Sequence, residues 1–272
     1  MLKYGMPSAP KNKDKKIILV TNDDGVRSPG IKALWKAMRA VGEAYMVGPD
    51  RERSAVGHSL TMHRPLKVER LGPKAWSING TPTDCVAIGI EKLLPRRPDL
   101  IVAGINRGGN LGDDITYSGT VSAAVEGTIM GIESLAFSLA LEQKGPPGTK
   151  PDWETAARLA RRTARFVLEN GLPYDTLLNV NIPDAPEGGI KGVRFTRQSK
   201  RIYQGAIHES NSPWGEVYYW IGGGRPLWER GPDMDMDAVM EGCVSITPIH
   251  LDLTDDAAIE WLKKRWSEDG TG

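Results

Sequence analysis

A short apolar run at residues 17–20 (IILV) constrains the fold of this chain more than any other feature. Such a run is typical of a strand buried on both faces of a parallel sheet. Residues 30–41 follow after a turn, and the apolar side chains Ile31, Leu34 and Met38 recur there at helical spacing. The order strand, loop, helix is the usual beginning of a doubly wound α/β domain.

The same alternation continues through the first half of the chain. Strands are predicted at residues 44–47, 100–103 and 134–139, a hairpin within residues 59–78, and helices at residues 81–94, 121–130 and 153–170. We therefore predict an α/β fold, a Rossmann-like three-layer sandwich with a mostly parallel sheet.

The pattern changes after about residue 185. The strands predicted at residues 193–198, 216–221 and 243–248 have no crossover helices between them, and tryptophan and tyrosine residues concentrate there. We expect a β-rich C-terminal arm that binds a neighbouring subunit; a hairpin folded onto its own domain is an equal alternative. The predicted division is a disordered basic tail at 1–16, a Rossmann-like catalytic core at 17–190, the β-rich extension at 191–250 and a C-terminal helix within 251–272.

Composition limits the classes of function. The formal net charge of the 272 residues is +1, which gives no electrostatic case for general nucleic-acid or membrane-surface binding. No apolar stretch approaches the length of a membrane-spanning helix. Cys85 and Cys243 lie in apolar segments, where buried free thiols are expected rather than a disulfide. We expect a cytoplasmic enzyme.

Two adjacent carboxylates, Asp23 and Asp24, follow the first strand directly and precede Gly25. They lie at the carboxyl end of the strand, where open α/β sheets bind ligands. Two close carboxylates repel each other unless a cation or a proton intervenes. The alternative is a solvated turn that only caps the next helix. The glycine fingerprint of dinucleotide-binding domains and the phosphate loop of P-loop enzymes are both absent from the sequence.

Two further oxygen donors follow other predicted strands. Ser54 comes after the second strand, and Asn106 comes after the strand at residues 100–103. Together with Asp23 and Asp24 they predict a site for a hard cation such as Mg²⁺, Mn²⁺ or Ca²⁺. No two histidines stand at zinc-ligand spacing, so a zinc site is disfavoured.

The segment Tyr117-Ser118-Gly119-Thr120-Val121 precedes a helix rich in small residues. Ser118 or Thr120 can cap this helix, whose first N–H groups can bind a phosphate. A metal beside such a helix end predicts phosphoester hydrolysis with a metal-activated water as nucleophile. Plain helix capping without a ligand is the alternative.

Six motifs in order resemble the survival protein SurE family. They are ILVTNDDG at 18–25, RSAVGH at 53–58, GTPTDC at 80–85, GINRGGNLG at 104–112, YSGTV at 117–121 and VSITP at 244–248. The resemblance covers roughly residues 16–266. It implies a metal-dependent nucleotidase acting on nucleoside 5′-monophosphates, with 3′-monophosphates and short polyphosphate as further candidate substrates. It also implies one divalent cation per subunit, Mg²⁺ or Mn²⁺, and a homodimer or homotetramer formed through the C-terminal arm.

The resemblance also assigns site residues by position. The metal ligands fall on Asp23, Asp24, Ser54 and Asn106, as the strand-end argument predicts. Asp23 and Asp24 are also predicted to be catalytic, together with Asn110 and Ser118. The predicted contacts with the phosphate and nucleoside of the substrate come from Asn79, Gly119 and Thr120. Asp113 and Asp114 are candidates for orienting the site or activating water.

Two alternatives to this reading stay open. A covalent aspartyl-phosphate route is disfavoured, because phosphatases of that kind place two aspartates one residue apart and here they are adjacent. A non-catalytic nucleotide-binding regulatory protein on the same fold is the other alternative, because fold does not fix function. The sequence does not decide base preference, 5′ against 3′ preference, the physiological metal, dimer against tetramer, or the role of the tail.

Overall fold

The computed structural model describes residues 15–140, 151–185, 188–202, 207–221 and 227–268. Nearly all of the tail predicted at residues 1–16 lies outside these ranges. The helices are α1 Pro29–Met38, α2 Pro82–Ile88, α3 Gly119–Ile129, α4 Trp153–Asn170, α5 Asp235–Met240 and α6 Asp256–Glu268. The strands are β1 Ile17–Thr21, β2 Glu43–Pro49, β3 Val68–Gly72, β4 Ala75–Ile78, β5 Leu100–Arg107, β6 Ser134–Ala140, β7 Thr176–Pro183, β8 Gly192–Phe195, β9 Arg201–Ile202, β10 Ile207–Asn211, β11 Val217–Ile221, β12 Leu227–Trp228 and β13 Cys243–His250.

Nine of the described strands form one sheet in the order β3-β4-β2-β1-β5-β6-β7-β13-β8. The six strands from β4 to β7 in this order are parallel, whereas β3 and β13 run antiparallel to β4 and β7. The chain first builds outward from β1 through β2, then returns to place β5 on the other side of β1. The strand order therefore reverses between β1 and β5, and open α/β sheets bind ligands beyond the carboxyl ends of strands at such a point.

Helices cover both faces of this sheet. Leu34 of α1 and Ala160 of α4 pack in one buried cluster with Ile18. Ala123 of α3 packs in a second cluster with Leu19, on the opposite face. Successive strand residues point to opposite faces, so residues 17–20 must be apolar throughout to satisfy both layers. The predicted three-layer α/β fold is confirmed.

Individual elements agree closely with the sequence patterns where local signals are strong. Helix α4 has the predicted bounds of residues 153–170, and β3 and β4 form the predicted hairpin. Helix α2 begins at Pro82 with Thr81 as its N-cap and continues into a π-helical turn, Gly89–Leu93. No described helix is long and apolar enough to cross a membrane. Cys85 and Cys243 are buried and unpaired, as predicted.

The structure differs from the predicted division at residue 190. Strands β8 and β13, expected in the arm, belong to the main sheet, and β13 lies between β7 and β8. The absence of crossover helices did not indicate a separate arm. A strand that pairs antiparallel to its neighbour in the sheet can be reached without a crossover helix. Strand β7 itself was not predicted, because Asn179 and Asn181 interrupt its apolar pattern.

Among the described residues, two short sheets stand apart from the main one: β10 with β11, and β9 with β12. Nearly every residue of β10 and β11 is exposed, so this hairpin is not folded onto its own domain. Residues 256–266 of α6 are all exposed as well.

Candidate active site

The turn after β1 places two neighbouring carboxylates at the carboxyl end of the sheet. Asn22 holds this turn, because its Nδ2 donates to the Gly25 carbonyl at 3.0 Å and to Ser28 Oγ at 2.9 Å. Gly25 has a φ of +92°, and a Cβ there would lie 3.0 Å from the backbone of the loop after β2. Both conformation and space therefore favour glycine, and the turn sets the directions in which Asp23 and Asp24 leave the strand.

Asp23 is buried against the start of α3. Its Oδ1 accepts a hydrogen bond from Thr120 Oγ1 at 2.5 Å, and its Oδ2 accepts one from the Thr120 N–H at 3.1 Å. A Cβ on Gly119 would lie 2.8 Å from Asp23 Cβ, so only glycine leaves room for the carboxylate. Burial raises the pKa of Asp23 above its usual value, and the hydrogen bonds from Thr120 offset part of that rise.

Asp24 lies beside Asp23 and is less enclosed. Its Oδ2 accepts a hydrogen bond from the Arg107 N–H at 3.2 Å. Burial, and then the negative charge of Asp23, raise the pKa of Asp24 from its usual value to about 6. The two carboxylates thus form a pair that positive charge would stabilise.

Neutral oxygen donors come from β5 and from the loop after β2. The Arg53 N–H donates to the Asp23 carbonyl at 2.7 Å and ties the loop that carries Ser54 to the aspartate turn. Ser54 Oγ donates to Glu52 Oε1 at 2.7 Å. Asn106, near the end of β5, donates from Nδ2 to a backbone carbonyl two residues on, at 2.9 Å, and that bond leaves its Oδ1 uncommitted.

These side chains line one pocket of about 730 Å³ at the point where the strand order reverses. Tyr117 and Trp153 add aromatic surface to its wall. The volume lies in the range of small-molecule sites. Seven of the residues predicted from the sequence line it, namely Asp23, Asp24, Ser54, Asn106, Asn110, Asp114 and Ser118.

Three of the predicted substrate-side residues are not in the pocket wall. Asn79 Oδ1 accepts a hydrogen bond from the Lys67 N–H at 2.7 Å, which engages it in the β3–β4 region. Gly119 and Thr120 are buried behind Asp23. The structure therefore gives Thr120 a contact with a predicted metal ligand rather than with the pocket.

The N-terminus of α3 contacts a carboxylate of the protein itself, that of Asp23. The Thr120 N–H donates to Asp23, and the Val121 N–H donates to Ser118 Oγ at 3.1 Å. These two N–H groups already have acceptors within the protein, and the use of the helix start to hold a substrate phosphate stays a prediction. The positive end of the helix dipole acts on the Asp23 carboxylate.

Asp113 and Asp114 connect the glycine-rich loop to the C-terminal segment. Asp113 accepts hydrogen bonds from the Arg201 N–H at 3.0 Å and from Lys200 Nζ at 3.1 Å, and these lower its pKa. Asp114 forms an ion pair with Arg201 and lies at the pocket wall. Asp113 is therefore held by the C-terminal segment and is not part of the pocket wall, and its role in orientation or water activation stays a prediction.

Three buried polar residues behind Asn110 escaped the sequence analysis. Ser138 on β6 and Asn179 and Asn181 on β7 all hydrogen bond to Asn110. The signal that could have revealed them is two asparagines two positions apart inside an apolar strand, since such a strand rarely buries amides without a partner for them.

The donor set suits a hard cation. Asp23, Asp24, Ser54 and Asn106 offer carboxylate, hydroxyl and amide oxygens, which Mg²⁺ and Mn²⁺ prefer. Across the described ranges, no group of three or more His, Cys, Asp or Glu side chains could hold a metal ion. A cation here would thus depend on two carboxylates, neutral protein oxygens and water, which is the usual manner of Mg²⁺.

Comparison with known proteins points to one family. Residues 18–205 match the family model described as Survival protein SurE. The 5′-nucleotidase SurE of Geobacter metallireducens is 53% identical over 246 residues, covering 90% of this chain and 96% of that protein. The namesake of Pelobacter propionicus is 53% identical over 243 residues, covering 89% and 96%. The crystal structure of the SurE protein from Aquifex aeolicus superposes with a TM-score of 0.78 at 42% identity, covering 91% of this chain and 99% of that one.

Proposed function

The chain belongs to the survival protein SurE family, and we propose how its site carries out the nucleotidase reaction for which its relatives are named. It is a 5′-nucleotidase, a phosphoric monoester hydrolase. Its proposed substrates are nucleoside 5′-monophosphates, with 3′-monophosphates and short polyphosphate as further candidates. Its proposed cofactor is one divalent cation per subunit, Mg²⁺ or Mn²⁺.

One observation carries this proposal. Asp23 and Asp24 from the end of β1 share a pocket with Ser54 and Asn106, and the same pocket has Asn110 in its wall. A carboxylate pair alone would repel a phosphate monoester, which is itself an anion. A bound cation would offset the charge of the pair and let it serve such a substrate, and the oxygen donors around the pair fit a hard cation.

The cation, when bound, supplies positive charge to the phosphoryl oxygens and activates the attacking water. Asp23, Asp24, Ser54 and Asn106 would hold it. Thr120 favours the ionised form of the Asp23 carboxylate and orients it through two hydrogen bonds. Because these donors are fixed before the substrate arrives, little reorganisation is needed during the reaction.

Two residues of the pocket wall can orient the phosphoryl group. Ser118 Oγ accepts the Val121 N–H, so its own hydrogen remains free to donate to a phosphoryl oxygen. Asn110 Nδ2 donates one hydrogen to Ser138 Oγ at 2.6 Å and keeps a second. The two side chains would hold the phosphoryl group in line with the attacking water.

Phosphate release from purified full-length protein tests the proposal. The substrates are the 5′-monophosphates of adenosine, guanosine, cytidine and uridine, adenosine 3′-monophosphate and a short polyphosphate, each with Mg²⁺, Mn²⁺ or chelator. We expect metal-dependent release from at least one 5′-monophosphate. Nucleotide binding without phosphate release under every metal would instead indicate a non-catalytic regulatory protein.

We extend the proposal to the assembly: the β10–β11 hairpin and α6 contact a second copy of the chain in a homodimer or homotetramer. An isolated two-stranded hairpin is only marginally stable. In the β10–β11 hairpin 86% of the surface of Trp214 is exposed, and in α6 69% of the surface of Trp266 is exposed, so both elements have apolar surface that a second copy could cover. Light scattering of the full chain is expected to give an oligomer, and Trp266→Glu to weaken it. Phe166→Glu, an exposed aromatic on α4, is the matched control. A monomeric wild type at micromolar concentration contradicts this extension.

The cytoplasm is the proposed compartment. Cys85 and Cys243 are both free thiols, which suits a reducing environment. Fractionation of the native cells with an antibody against the protein tests this assignment, and recovery outside the cytoplasmic fraction would contradict it.

A further inference from the structure

Strand β7 buries two amide side chains that the fold does not require. Asn179 and Asn181 are fully buried and, two positions apart, lie on the same face of β7. A buried amide is tolerated only when its polar atoms find hydrogen-bond partners, which an apolar residue does not need. An aliphatic pair would therefore satisfy the sheet better, and the asparagines need another explanation.

Both asparagines bind the same residue of the glycine-rich loop. Asn179 Nδ2 and Asn181 Nδ2 each donate to the Asn110 carbonyl at 2.8 Å. Asn181 Oδ1 also accepts the Asn110 N–H at 2.8 Å. From the neighbouring strand β6, the fully buried Ser138 accepts a hydrogen bond from Asn110 Nδ2 at 2.6 Å. Four hydrogen bonds thus hold the backbone and the side-chain amide of one residue.

Asn110 lies in the wall of the catalytic pocket, so these bonds determine where its amide points. The Asn110 carbonyl accepts two hydrogen bonds and its N–H is paired, which prevents the peptide from rotating. The bond to Ser138 then sets the side-chain torsion and leaves the second Nδ2 hydrogen for a ligand. Site residues of this kind work well only when the residues behind them keep them in place.

We propose that Ser138, Asn179 and Asn181 are positioning residues for phosphoryl transfer, acting through Asn110. This inference rests on the proposed nucleotidase reaction. It assigns the three residues no contact with the substrate. Their effect is to keep the Asn110 amide within hydrogen-bond reach of the phosphoryl group, and displacements of about 1 Å in such groups lower rates by about a hundredfold.

Ser138→Ala gives the most direct test, because it removes only the acceptor for the Asn110 amide. Ser134→Ala is the matched control: Ser134 is also fully buried on β6, on the same face, and its Oγ donates to the Ile132 carbonyl, away from Asn110. We expect Ser138→Ala to lower kcat/KM about tenfold to a hundredfold, and Ser134→Ala to leave it unchanged. The metal concentration for half-maximal activity should stay the same in both, because Asn110 is outside the donor set.

A double-mutant cycle separates positioning from a general structural effect. In an Asn110→Ala background, Ser138→Ala should cause no further loss, whereas independent losses that multiply would overturn the proposal. Equal activities of Ser138→Ala and Ser134→Ala would also overturn it. If Ser138→Ala does not fold, Asn179→Leu carries the same test, since it removes one donor to the Asn110 carbonyl and leaves an apolar side chain of similar size in the sheet. Wild-type protein inactive on every monophosphate would refute the proposed function itself, a result that these variants do not affect.

Discussion

Replacing Asp24 by asparagine is expected to stabilise the metal-free protein while destroying its activity. Burial and the charge of Asp23 raise the pKa of Asp24 from 3.8 to about 6. Each pKa unit corresponds to about 1.4 kcal/mol, so ionising Asp24 in the folded state costs up to about 3 kcal/mol. The side chain keeps some contact with solvent, and screening reduces this figure to about 1–2 kcal/mol.

The effect depends on pH in a definite direction. Below about pH 3.8 the group is protonated in the folded and unfolded states and contributes nothing. Between pH 3.8 and about 6 the folded protein keeps a proton that the unfolded chain has lost, so stability falls as pH rises. Above about pH 6 the full penalty is present, and Asp24→Asn removes it. The asparagine Oδ1 can still accept the Arg107 N–H, so the turn keeps its shape.

Denaturant unfolding in chelator at pH 4 and at pH 7.5 measures this effect. We expect the Asp24→Asn protein to exceed wild type by about 1–2 kcal/mol at pH 7.5 and to match it at pH 4. Asp99→Asn is the control of opposite sign: burial acts to raise the pKa of Asp99, but hydrogen bonds from the Ile17 N–H, Arg96 and Lys16 outweigh it and lower the pKa. That variant should be less stable than wild type at pH 7.5.

The result that would refute the reasoning is an Asp24→Asn protein that is less stable than wild type at pH 7.5 in chelator. A stability difference that does not change between the two pH values would refute it equally, because the argument depends on ionisation. Adding Mg²⁺ or Mn²⁺ should reverse the order, since a cation that binds only the folded protein stabilises it by mass action and the variant binds it more weakly.

The remaining predictions concern the site around Asp23. Asp23→Asn should lower metal-dependent phosphate release at least about a hundredfold while the circular dichroism spectrum stays native; turnover near wild type would contradict the assigned site. Gly119→Ala should lower kcat/KM about tenfold because its Cβ would press on Asp23. Gly72→Ala is the control, since its Cβ would meet nothing closer than 4.0 Å. Equal activities of the two variants would show that Asp23 does not need the space beside Gly119. In a single turnover in ¹⁸O-labelled water with enzyme in excess, the label should appear in the released phosphate; label in a protein carboxylate would indicate an aspartyl-phosphate route.

Local sequence signals predicted much of the fold and of the site. The apolar run at residues 17–20 and the helical periodicity of residues 153–170 depend on neighbours close in the chain, so single-sequence patterns reveal them. The placement of Asp23, Asp24, Ser54 and Asn106 followed from the rule that parallel strands end at one edge. That rule needs only the order of the elements, which the sequence shows.

The C-terminal half was harder to predict, and the reason is physical. Strand β13 pairs with β7, although more than fifty residues of chain separate the two strands. An antiparallel pair needs no crossover helix, so the sequence carries no helical pattern that would indicate this pairing. Strand β7 carries two buried amides, so its pattern did not indicate a core strand. A polar residue can be buried in a strand only if another residue of the fold hydrogen bonds to it, and the sequence alone does not show which residue that is.

The sequence by itself determined the layer architecture, the loops that carry the chemistry and the oxygen character of the donor set, because each depends on residue types and on their local order. Only the tertiary structure decided that the start of α3 binds Asp23, and that Asn181 holds Asn110. Thr120 and Asp23 are 97 residues apart, and Asn181 and Asn110 are 71 apart. Hydrogen bonds over such separations form only after the sheet has brought the strand ends together, and no local pattern specifies which donor meets which acceptor.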